Sequence, residues 1–152
     1  MKIAALALLT VCLILSLSAC SETNPPQSSR VIERIDPCPT SPNCVSSDAS
    51  DKKHFILPFQ LTTSAEQAWP IVQEVILQLP RSSIVRQTDS FLQVECRSAV
   101  FGFVDDLKLQ LRANKGIIAV YSASRLGYSD FGVNRDRIEA LRAALIKRGV
   151  IK

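Results

Sequence analysis

The segment FVDDLKLQLRANKGIIAVYSASR, Phe103 to Arg125, carries the strongest structural signal in this 152-residue chain. Phe103, Leu107, Leu109 and Leu111 stand in phase against Lys108, Gln110 and Arg112, the period of a strand with one face buried. ANKG, Ala113 to Gly116, has the composition of a hairpin turn, and IIAVYSASR is the strand returning from it. A hairpin dictates antiparallel pairing, so the sheet is expected to be antiparallel.

The same period continues upstream. FLQVECRS puts Leu92, Val94 and Cys96 on one side and Gln93, Glu95 and Arg97 on the other, and Ser83 to Gln87 reads as a short strand. Before Pro80 the period changes to that of a helix, with Ala68, Trp69, Val72, Val75, Ile76 and Leu79 on one stripe. Thr63 or Ser64 is placed to cap it, with Glu66 or Gln67 completing a capping box; Pro70 implies a kink or a later start. Further upstream, HFILPFQL alternates Phe55, Leu57, Phe59 and Leu61, an edge strand because Pro58 cannot donate to a ladder. A last helix is expected from about Arg135 to Arg148, with Ile138, Leu141, Ala144 and Leu145 inward and Gly149 as its stop. The order β-α-β-β-β-β-α predicts an α+β domain, an antiparallel sheet of about five strands with two helices on one face.

The chain begins differently. Lys2, an apolar run from Ile3 to Leu17 and then small residues make a signal-peptide layout, with Ser16 and Ser18 interrupting the run before spanning length. LSAC, Leu17 to Cys20, resembles the bacterial lipobox. That resemblance implies cleavage before Cys20, acylation there, and stable anchoring by several chains. Ser21 in the next position implies the outer membrane, facing the periplasm. Residues 1–19 are therefore read as a lipoprotein signal peptide and residues 20–35 as the lipidated cysteine with a flexible tether. Residues 36–152 are expected to form one globular domain. The net charge of +4, reduced to +3 once Lys2 is removed, forms no basic stripe of the kind that binds nucleic acid.

Cysteine and histidine counts restrict the chemistry. Cys38, Cys44 and Cys96 are the thiols left beyond Cys20, and His54 is the single histidine. A zinc site normally wants four nitrogen or sulfur ligands, so no metal and no cofactor is expected. In an oxidising envelope, Cys38 and Cys44 are expected to pair across the proline-rich loop Asp36 to Ser47, leaving Cys96 as a buried thiol. His54, beside two lysines, reads as a surface residue, and as the lone available base it makes a nucleophilic pair improbable.

Three pieces in order, CPTSPNCVSS (Cys38 to Ser47), FVDD (Phe103 to Asp106) and SASRLGYSDFGVNRDRIEALR (Ser122 to Arg142), resemble the family catalogued as domain of unknown function 1499. The resemblance runs from about Asp36 to the C-terminus and implies no established activity. Members often carry arginine where this chain has Tyr121.

Candidate site residues come from the strand ends. Asp105 falls in phase with the buried positions and Asp106 points the other way. Arg125, at the end of the neighbouring strand, is the expected partner of Asp105. Asn134 reads as the cap of the last helix, with Val133 and Ile138 as its hydrophobic staple and Gly127 and Gly132 as turn residues. That leaves Arg125, Tyr128 and Asp130 unexplained just before a helix N-terminus, where an anion can be held. Asp105, Arg125, Tyr128 and Asp130 are thus the candidate binding site. The favoured function is a lipid-anchored binding or interaction module for an unknown envelope ligand or protein. The alternatives are an envelope hydrolase using Asp105 or Asp130 with Arg125, or a purely structural envelope protein.

Overall fold

The computed structural model describes residues 33–152; the signal segment, Cys20 and most of the tether lie outside them. The expected α+β architecture is present. Its strands are β1 (Cys44–Ser46), β2 (Phe59–Gln60), β3 (Ser82–Gln87), β4 (Phe91–Arg97), β5 (Val104–Arg112) and β6 (Ile117–Ser124). The helices are α1 (Ala65–Leu77) and α2 (Val133–Lys147).

All pairings between strands are antiparallel, in the order β1-β6-β5-β4-β3. β2 also pairs with β6, opposite Ile117 and Ile118, while β1 pairs further along, opposite Tyr121 to Ala123. These two short strands share one outer lane, so six strands make a sheet five lanes wide. The β5–β6 turn is a short 3-10 segment, Ala113–Lys115, closed by Gly116 at φ 61°, a conformation that glycine adopts without a Cβ clash.

The alternation read from the sequence sorts the two faces. Leu92, Val94, Leu107, Leu109, Ile118 and Val120 are fully buried beneath both helices. They meet Trp69, Val72 and Ile76 of α1 and Ile138, Leu141 and Leu145 of α2. Each such side chain stabilises the fold by about 1.5–3 kcal/mol relative to an exposed one. The opposite face is covered near β6 by a smaller cluster in which Ile35 and Cys38 lie against Cys44, Ala119, Tyr121 and Ala123. Residues 33–36, read as the end of the tether and the domain's first residue, are also bonded to the sheet. Gln110 donates to the Glu33 carbonyl at 2.6 Å, and Lys108 pairs with Asp36.

Local details depart from the sequence reading. The segment Phe55 to Leu61 alternates only from Phe59 onward: Phe55 and Leu57 are exposed, Ile56 is buried, and Phe59–Gln60 alone is strand. Pro58, lacking an N–H, stands just before the ladder begins. β1 lies inside the stretch expected to be loop, because its last proline is Pro42 and every residue after it can donate to the free edge of β6. Ser64 caps α1, accepting from the Gln67 N–H, and the helix continues through exposed Pro70 rather than starting later.

His54 is buried rather than on the surface. Its Nδ1 lies 2.9 Å from both Asp51 carboxylate oxygens, and Nε2 is 3.0 Å from the Ser41 carbonyl. The ring ties the cysteine loop to the segment that follows it. That loop is closed by the Cys38–Cys44 disulfide, and Cys96 is a buried free thiol. Among the described residues no helix is long and apolar enough to cross a membrane.

Candidate functional site

At the end of the sheet where β4, β5 and β6 meet the start of α2, two loops stand apart and enclose a cleft of about 490 Å³. The β4–β5 loop contributes Val100, Phe101 and Phe103, and the loop from β6 to α2 contributes Leu126 and Phe131, with Val133 from the first turn of α2. All six are exposed, and the rings of Phe101 and Phe103 lie 5.6 Å apart. Phe103, in phase with the core residues of β5, therefore forms a cleft wall. β5 begins one residue later, at Val104.

Asp105 and Asp130 both line this cleft; Arg125 and Tyr128 do not. Tyr128 is exposed on the same loop. The position of Arg125 follows from register. Asp105 lies opposite Ser124, so Arg125, one residue further, projects to the other face. There it donates to Asp106 at 2.8 and 2.7 Å and to Glu95 at 2.7 Å. This cluster holds the Arg125 guanidinium even more firmly protonated than usual. The same hydrogen bonds from Arg125 keep the Asp106 carboxyl below its ordinary range, although burial opposes them. The expected Asp105–Arg125 pair is thus not formed, and Asp106 is held by an arginine instead of being simply solvated.

The partner of Asp105 is Arg137, whose Nη2 lies 2.5 Å from Oδ2. Arg137 also donates from Nη1 to the Ser122 hydroxyl at 2.9 Å and to Asn134 Oδ1 at 2.5 Å. Asn134 is fully buried and is not the cap of α2. Its amide Nδ2 donates to the Asn43 carbonyl, the Ser124 hydroxyl and Asp130, at 3.1, 3.0 and 2.9 Å. The cap is Asp130. Its Oδ1 accepts from the Gly132 N–H at 3.1 Å and its Oδ2 from the Asn134 N–H at 2.8 Å. Burial pushes the Asp130 carboxyl up, but these backbone donors and the Asn134 amide outweigh it, and the net shift is downward.

Two consequences follow for chemistry. The anion that an open helix N-terminus could bind is supplied by the chain itself, as the Asp130 carboxylate. The hydrolase alternative loses the arginine that was to hold the oxyanion, since the sheet separates Arg125 from Asp105 and Asp130. Asp130, held ionised by its donors, is also a poor general acid. The cleft sets apolar side chains beside two carboxylates and Ser98, Ser124 and Ser129, a lining of the kind found in small-molecule pockets.

Sequence reasoning missed Arg137 and the two loops. Arg137 was legible in principle, since a helix starting near Val133 brings its second turn back over the strand end. The loops offered only scattered apolar residues. Tyr121, the departure from the usual arginine, is buried on the face away from the cleft, with Lys108 Nζ 5.6 Å from its ring centre.

Over residues 34–145 the chain matches the family described as "Protein of unknown function (DUF1499)", and it belongs to that family. No curated protein and no solved structure matches it.

Proposed function

We propose that the chain is a binding module of the bacterial cell envelope, held to the membrane through an acylated Cys20, and that the cleft is its ligand site. The observation that supports this reading is Phe131. It is 95% exposed and sits at φ 53°, a left-handed conformation unfavourable for a bulky side chain. A residue that is strained and almost unburied adds nothing to folded stability. It does complete an apolar wall opposite Phe101 and Phe103, over carboxylates that are already in place.

N-phenyl-1-naphthylamine, a neutral dye that brightens in apolar sites, tests the cleft. Its fluorescence should rise with the wild-type domain and fall to the level of free dye with Phe131→Gly, at unchanged or higher Tm. An equal signal from both proteins would contradict the reading. The anchor is tested separately: Cys20→Ala should leave an unprocessed precursor, and normal processing of that variant would overturn the lipoprotein half of the proposal.

A further inference from the structure

The floor of the cleft carries a specific chemical preference. Asp105 has a side chain only 9% exposed, and its Oδ2 is held by Arg137. Its Oδ1 has no hydrogen-bond partner among the described residues, yet no buried side-chain oxygen or nitrogen among them lacks one. Oδ1 therefore retains access to solvent, and the space that Asp105 borders is the cleft. This is one acceptor site on a side chain paired with Arg137, nine-tenths buried and open toward an apolar-walled cavity.

The surrounding charges decide which ligand it suits. Among the described residues, two carboxylates line the cleft and no lysine or arginine does. Arg137 offsets Asp105 from behind, and the positive end of α2 is taken up by Asp130. An anionic head would meet two carboxylates and no free donor cation. A neutral hydroxyl would satisfy Oδ1 but gain no charge–charge attraction. An ammonium would donate to Oδ1 and compensate the second carboxylate, and it could also lie against the faces of Phe101, Phe103 or Phe131. A volume of about 490 Å³ is that of a small-molecule site and leaves room for an apolar body behind the head.

We infer that the cleft takes a small amphiphilic cation, an ammonium group on an apolar chain, with its head at Asp105 and its body between the Phe101 and Phe131 loops. The inference rests on the cleft being a ligand site, as proposed above. Three probes with one chain and different heads separate the two claims: decylammonium and decanoate, each titrated below its micelle concentration, and 1-decanol, titrated below its solubility limit, all followed by calorimetry. Decylammonium is expected to bind at least tenfold more tightly than decanol, with decanoate weakest. The margin over decanol should shrink as salt is raised. Asp105→Asn should bring decylammonium and decanol to within about threefold of each other. The wild-type series and its salt dependence decide the matter even if that variant folds poorly. Equal binding of all three probes would overturn the cation inference and leave the cleft as an apolar site. Binding of none would also overturn it, and the naphthylamine titration would then show whether the binding-site reading fails too.

Discussion

Arg137, in the second turn of α2, reaches over the sheet face it covers to within 2.5 Å of Asp105 at the start of β5. Both side chains are largely buried, 15% and 9% exposed, so removing one strands the other. Arg137→Met should destabilise the domain by about 3–5 kcal/mol in urea unfolding. A double replacement with apolar residues, Arg137→Met with Asp105→Leu, should recover most of that loss. A loss under 1 kcal/mol in the single variant would mean that the pair is not closed in solution.

The Arg125 cluster on the opposite face predicts the contrary behaviour. Arg125 is 43% exposed, so Arg125→Ala should cost at most about 1 kcal/mol at pH 7 and leave ligand binding unchanged. The pH dependence has a definite sign. The Asp106 carboxyl lies below its unfolded value, which is about 4. Its contribution is therefore complete above that value and disappears as pH falls through the lower folded one. The stability gap between wild type and Arg125→Ala should narrow between pH 5 and pH 2. A gap that widens toward acid would contradict the assignment.

These two arginines show how far the sequence could be read. The antiparallel sheet, both helices, the disulfide and the inward side of β4 and β5 followed from period and composition alone. The ion-pair assignment failed because it used strand ends without the register. Carried across the hairpin, the same period of two sets Asp105 opposite Ser124 and sends Arg125 to the other face. Asn134 was read as a cap because its residue type suits one. Its burial depends on Ser124, Ser122 and Asn43, separated from it by 10, 12 and 91 positions and gathered only by the fold. The cleft walls were hidden because loop residues such as Phe101 and Phe131 have no period to betray them.

Asn134 therefore carries its own prediction. Replacing a cap costs about 1 kcal/mol, whereas stranding buried partners costs about 1–3 kcal/mol for each group left unpaired. Asn134→Ala should lose roughly 2–3 kcal/mol, measured by thermal and urea unfolding, because the buried Ser122 O–H loses its acceptor and the Asn43 carbonyl, which keeps the Ser124 N–H, loses its second donor. A loss near 1 kcal/mol would return it to the role of a cap.

The Cys38–Cys44 bridge closes a short loop, with a sequence separation of 6. The chain-entropy model gives about 2.4 kcal/mol for a loop of that size. Cys38→Ser with Cys44→Ser should lower stability by that order without unfolding the sheet, because His54 still holds the loop through Ser41 and Asp51. Non-reducing peptide mapping should show no peptide linked through Cys96.

Phe131 links stability to function. Glycine at this position relieves the left-handed strain, so Phe131→Gly should have a Tm equal to or above that of wild type while ligand affinity falls at least tenfold. A fall in Tm of several degrees would show that the ring contributes to folding and would remove the main support for a binding role.

The most direct measurement of the central claim is an amide chemical-shift titration of the isotopically labelled domain with decylammonium. The account predicts saturable shifts concentrated at Phe101, Asp105, Leu126, Asp130 and Phe131, with little change at Arg125 on the far face or beside Trp69 on α1. Shifts concentrated elsewhere, or none at all, would contradict it.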